Sequence, residues 1–165
     1  MLIPVPGSPE ELAAFAALQT QLPHLYERVS HDPRSEHLVV VAPSLSMDPR
    51  ELAKITGAHH YEERLLFFLM LLRRPRTRVL FLTSQTINPT VVDYYLHLLS
   101  GVPTSHARKR LILMDCADAS NTPLSGKLLS RPRMLKRIRE VIQHYESAHM
   151  VCFNSSKLER TLAVQ

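Results

Sequence analysis

Four short apolar runs constrain this chain more than any other feature: His37–Ser44 (HLVVVAPS), Arg78–Gln85 (RVLFLTSQ), Arg110–Cys116 (RLILMDC) and His149–Asn154 (HMVCFN). Each is too short for a stable helix and rich in Val, Leu, Ile or Phe, and polar or turn residues follow it, as for buried strands. Apolar residues run almost without interruption rather than alternating with polar ones. Strands of that kind are covered on both faces, which is the habit of parallel sheets.

The segments between the runs carry helix signals. Ser8 caps a first helix, with Pro9 at its first position and Glu10 and Glu11 in its first turn. Leu12, Phe15, Leu18 and Leu22 recur at helical spacing, and a break is expected at His31–Glu36. Asp48 before Pro49 starts a short helix through about Ile55, which Gly57 stops. The next helix starts near Ala58 or His59 and contains the eight-residue apolar run Leu65–Leu72, with Pro75 as its end. A segment apolar all round predicts burial on more than one side. Asn88 and Pro89 open a further helix that Gly101 stops. Residues 117–126 read as a polar connection. Arg131–Glu146 reads as an amphipathic helix carrying Met134, Leu135, Ile138, Val141 and Ile142, and Ser155 begins a last helix that the chain end is expected to cut short.

Strands alternating with helices predict an α/β fold, a Rossmann-like three-layer sandwich with a mainly parallel sheet of about four strands. The expected organisation is an N-terminal helical segment, residues 1–35, followed by a Rossmann-like domain, residues 36–165. The longest apolar run is eight residues, against the roughly 20 that span a bilayer as a helix. The N-terminus also lacks the basic and apolar regions of a signal peptide, so no membrane partner is expected. Cys116 and Cys152 each close an apolar run and read as small buried hydrophobes rather than a disulfide or zinc set, which suits the cytoplasm.

Net charge is +5, and twelve of the 20 Lys and Arg residues fall in RRPRTR, ARKR and RPRMLKRIR. The first two clusters immediately precede predicted strands, which places them at the amino edge of the sheet. A nucleic-acid surface would add stacking aromatics, but aromatics are 6% with no Trp. The clusters predict a solvated or domain-docking face, and nucleic acid is not an expected partner.

Ligands of an open parallel sheet bind beyond the carboxyl ends of its strands. Ser44 and Ser46 follow the first strand, Thr83, Ser84 and Gln85 the second, Asp115 and Asp118 the third, and Asn154 the fourth. Gathered at one edge, these groups suit a polar ligand; the competing use is capping the next helices, for which Asn88, Asn154 and Ser155 are well placed. Glycines occur only at 7, 57, 101 and 126, so neither a dinucleotide fingerprint nor a P-loop can be written. His59 and Glu63, or His60 and Glu63, share a helix face, but the second histidine of a zinc-protease motif is missing. No G-x-S-x-G elbow exposes a nucleophilic serine.

The ordered words HYEERLL, RPRTRV, TSQ, VDYYL and SHARKRL, continuing to LERTLAV, resemble the segment preceding the ATP-grasp fold in peptide-ligase-type ATP-grasp enzymes, relatives of the pheganomycin peptide ligase. The resemblance covers about residues 36–165. It implies a non-catalytic, pre-ATP-grasp domain of a carboxylate–amine ligase, whose partner is an ATP-grasp domain of the same polypeptide following Gln165. In such ligases ATP with Mg²⁺ activates a carboxylate as an acyl phosphate, which an amine attacks. The nucleotide and metal sites lie in the ATP-grasp domain, so this chain is expected to hold no cofactor itself. On position, Ser84, Gln85, Asp115 and Asn154 are the candidates for lining the substrate side. Apolar surface meant for a docked domain would also serve a homodimer. The alternative is a free-standing Rossmann-like module binding a small polar ligand or a protein.

Overall fold

The computed structural model describes residues 4–31, 36–58 and 60–165. The expected break at His31–Glu36 lies largely outside the described residues. The centre of the molecule is β1 (His37–Ala42), in which all six residues are buried. It is flanked by β2 (Thr77–Thr83) and β4 (Ser147–Cys152), and β3 (Leu111–Asp115) pairs with the far side of β2. The order is β3-β2-β1-β4 and every pairing is parallel. This is the predicted α/β architecture.

Alternation along the strands sends side chains to two cores. Val39, Val41, Val79 and Phe81 face one side, against Leu66, Leu69, Leu72, Val92 and Leu96. Leu38, Val40, Ala42, Leu80 and Leu82 face the other, against Leu124, Leu128, Met134 and Ile138. The first face is covered by a 3₁₀ helix (Leu65–Arg73), α4 (Pro89–His97) and α5 (Thr104–Lys109). The second is covered by α6 (Leu124–Leu129), α7 (Pro132–Ile142) and α8 (Lys157–Val164), with α1 (Pro9–His31) packed on α8. Connections move to the opposite face when the chain crosses back from β3 to β4, as a right-handed crossover requires.

Several helices start where the sequence predicts. Asp48 Oδ1 accepts from the Arg50 N–H at 2.8 Å and starts α2 (Pro49–Leu52). Asn88 Oδ1 accepts from the Thr90 N–H at 2.9 Å, with Pro89 at the first position of α4. Gly57 and Gly101 end their segments at φ of +68° and +79°, a backbone region that favours glycine. The cap of α8 is Ser156 rather than Asn154 or Ser155: it forms a capping box with Glu159.

The apolar run departs from expectation. α3 (His60–Arg64) is a short α-helix, after which Leu65–Arg73 winds as a 3₁₀ helix. Three residues per turn stack positions i and i+3. Leu66, Leu69 and Leu72 therefore form one buried stripe on the sheet, while Phe67 and Met70 remain 50% and 42% exposed. The run is thus buried on one side, not on several. Two further short helices, α5 and α6, depart from expectation; α6 begins in the last residues of the predicted 117–126 connection, runs beyond it, and puts Leu124 and Leu128 into the core. β3 is an edge strand, with Leu113 42% exposed, so only β1 and β2 are covered on both faces.

At the amino edge, one member of the basic clusters caps carbonyls. The Arg110 guanidinium donates to the carbonyls of Leu72 at 2.7 Å, Arg74 at 2.8 Å and Thr77 at 3.0 Å. Leu72 lies in the last turn of the 3₁₀ helix, Arg74 follows it and Thr77 opens β2, so one side chain ties the helix end to the start of the strand. The same edge holds a histidine pair, His37 buried and His149 partly so. His37 Nε2 lies 2.6 Å from His149 Nδ1, and His37 Nδ1 lies 2.7 Å from Ser147 Oγ.

Candidate functional site

The chain runs from β1 towards β2 and β3 on one side, then returns to place β4 on the other. The crevice at such a reversal lies between β1 and β4, where open α/β sheets bind ligands. Here the chain's own groups fill it. Asn154 Oδ1 accepts from the Ser46 N–H at 3.2 Å and its Nδ2 donates to the Ser46 carbonyl at 3.1 Å. The Ser46 hydroxyl lies 2.8 Å from that of Ser44 and donates to Glu159. Ser44 Oγ accepts from the Ser125 N–H at 3.1 Å. Burial alone would raise the Glu159 carboxyl, but the hydroxyls and the N–H around it outweigh burial and hold it below its ordinary value.

A second network lies at the ends of β2 and β3. Glu62, on α3, accepts from the N–H and the hydroxyl of Ser84, both at 2.6 Å. Lys127, on α6, donates to Ser84 Oγ and to the Asp118 carbonyl, both at 2.9 Å. Arg131 donates to Asp118 Oδ2 at 2.6 Å and to the Lys127 carbonyl at 2.9 Å. Glu62, Ser84 and Lys127 are all buried. Burial pushes the Glu62 carboxyl up, opposed by Ser84 and by the charge on Lys127. The hydroxyl and N–H of Ser120 pull the Asp118 carboxyl down to about 2, with Arg131 and Lys127 adding to the effect. Burial pushes the Cys116 thiol up to about 11, which keeps it protonated and unreactive at neutral pH.

The four candidate residues divide between these places. Ser84 is buried inside the second network, with its hydroxyl donating to Glu62 and accepting from Lys127. Gln85, next to it, lines an open cleft of about 190 Å³ together with His60, Glu63, Thr86 and Asn88. Asp115 reaches the segment after β2 through Thr86, whose hydroxyl donates to its Oδ2 at 3.0 Å, and its Oδ1 accepts from the Ala117 N–H. Asn154 belongs to the β1–β4 clamp, away from the other three. Glu62 and Lys127 were not singled out from the sequence. Glu62 lies in the His59–Arg64 stretch, whose metal-binding reading the sequence does not support, and Lys127 falls between the polar connection of residues 117–126 and the helix predicted from Arg131.

The cleft at Gln85 offers amide, hydroxyl, imidazole and carboxylate groups to a polar ligand. The β1–β4 crevice, by contrast, is occupied by Ser44, Ser46, Asn154 and Glu159. Among the described residues, no three His, Cys, Asp or Glu side chains come close enough to share a metal ion. His60 Nδ1 instead lies 3.2 Å from Glu63 Oε2, while His59 is outside the described residues.

Over 128 residues, 76% of its length, the chain is 27% identical to the L-propargylglycine–L-glutamate ligase of Streptantibioticus cattleyicolor. The match spans 26% of that ligase, so the chain is similar to about a quarter of it. No family model matches the chain. No solved structure matches it either. Among the described residues, no helix is long and apolar enough to cross a membrane.

Proposed function

We propose that this chain is the N-terminal, non-catalytic domain of an ATP-dependent carboxylate–amine ligase of the peptide-ligase, ATP-grasp type. Its work is to pack on an ATP-grasp domain of the same polypeptide and to furnish part of the wall on the substrate side. The observation that carries this reading is the 27% identity over 128 residues with a ligase of which the match spans 26%. Most of such an enzyme then lies outside the matched region, and ATP and Mg²⁺ belong to that remainder. The cleft at Gln85 supports a share in substrate binding, because its groups hydrogen-bond well but include no activated nucleophile. The setting is the cytoplasm.

The test is amide formation and ADP release with pairs of amino acids, in the presence of ATP and Mg²⁺. The chain alone is expected to turn over no ATP. A polypeptide joining it to an ATP-grasp domain encoded beyond Gln165 is expected to form the amide. Steady Mg²⁺-dependent ATP hydrolysis by residues 1–165 alone overturns the reading, and so does a reading frame that closes at Gln165 with no ATP-grasp partner. Within the active polypeptide, Gln85→Ala is expected to raise KM for one amino acid about tenfold, the loss of one or two hydrogen bonds, with kcat little changed.

A further inference from the structure

The helices over the second face of the sheet do not close upon it. Between α1, α7, α8 and β4 lies a cavity of about 390 Å³. Its walls are chiefly aliphatic, with Leu22 and Leu25 from α1, Ile138 and Ile142 from α7, Met150 from β4 and Leu162 from α8. A space of this size, apolar with few polar groups, has the character of a small-molecule site.

One cation on the wall has an unmet bonding requirement. Arg139 lines the cavity, and its Nε is buried with no hydrogen-bond partner. The charged groups Glu159 and Arg160 and the imidazole of His149, also in the lining, are engaged. Arg160 Nε donates to Glu11 at 3.2 Å, Glu159 accepts from Ser46 and from the Ser156 N–H, and His149 bonds to His37. A guanidinium on such a wall matches a carboxylate with two parallel hydrogen bonds.

We propose that this cavity binds an aliphatic carboxylate, with a linear apolar chain of roughly eight to twelve carbons and its headgroup on Arg139. The tail lies among Leu22, Ile138, Ile142 and Met150. The site is contained in this chain, so binding requires neither an ATP-grasp partner nor the ligase reading.

The experiment is calorimetric titration of the purified chain with hexanoate, octanoate, decanoate and dodecanoate below their micelle concentrations. One-to-one binding is expected, tightening about fourfold for each added methylene until the cavity is full. Decanol is expected to bind at least about tenfold more weakly than decanoate. Arg139→Gln should remove that difference, weakening decanoate about tenfold while leaving decanol unchanged, and Arg139→Lys should restore part of it. Ile142→Trp, which fills the space, should abolish both. Absence of saturable binding, or equal affinity of the unaltered chain for decanoate and decanol, overturns the proposal without recourse to any variant. A dimer in sedimentation that Ile142→Trp dissociates and decanoate does not would give the groove to a second copy and likewise overturn it.

Discussion

The ammonium of Lys127 lies 2.9 Å from the hydroxyl of Ser84, and both side chains are buried at the carboxyl end of β2. The same hydroxyl donates to Glu62, so one serine stands between a buried cation and a buried carboxylate. The three residues come from α6, the end of β2 and α3, and they join both helical layers to the rim of the sheet.

Removing one charge of this network strands the other. Lys127→Met is expected to destabilise the fold by about 3 kcal/mol in urea denaturation, because Glu62 keeps its burial and loses its counter-charge. The double variant Lys127→Met with Glu62→Gln should cost less than the sum of the two single changes. Additive losses would mean that the two groups do not sense each other.

The two sides of the 3₁₀ helix should respond in opposite ways. Leu69→Ala opens a cavity in the first core and should cost about 3 kcal/mol. Met70→Ser, one residue on and exposed, should stay within about 0.5 kcal/mol. Comparable losses at both positions would contradict the single buried stripe.

The histidine pair predicts an acid-sensitive fold. His149 is held at about 4 by burial first, then by the charges of His37 and Arg74, and His37 is lowered by burial and by Arg74 and Arg28. The 2.6 Å contact between them needs a donor and an acceptor, so both rings cannot be protonated together. Between pH 6.5 and about 4 the unfolded chain therefore binds more protons than the folded one. Stability from the pair is complete above pH 6.5 and falls as pH drops towards 4. Urea midpoints at pH 7.5 and 5 should show this fall, and His149→Gln should flatten it.

The clamp between β1 and β4 is open to a local test. Asn154→Ala removes two hydrogen bonds to the backbone of Ser46 and should cost about 1–2 kcal/mol. Amide hydrogen exchange in β4 should accelerate more than in β3. Uniform acceleration would place the loss in global stability instead.

Much of the fold is legible in local patterns. The apolar runs of Val, Leu and Phe mark β1 and β2, and Asn88 before Pro89 marks the start of α4, because strand burial and capping act over a few residues. The 3₁₀ winding of Leu65–Arg73 was not legible: eight consecutive apolar residues look alike at any helical period, and only packing on the sheet selects every third one. α6 was hidden because six residues are too few for a periodic signal, and its Lys127 reads as surface until the cluster around it forms.

By itself the sequence determined the α/β class, the succession of strands and helices, and the polar character of the strand ends, all of which rest on interactions between near neighbours. Tertiary structure alone decided that Ser84, Glu62 and Lys127 meet, that Asn154 turns inward to close the β1–β4 crevice, and that a cavity beside Arg139 remains open. The physical reason is separation along the chain. Asn154 and Ser46 are 108 residues apart, and Lys127 and Ser84 are 43 apart. Such pairs exist only once strand order and crossover direction are set, and neither is written in any local stretch.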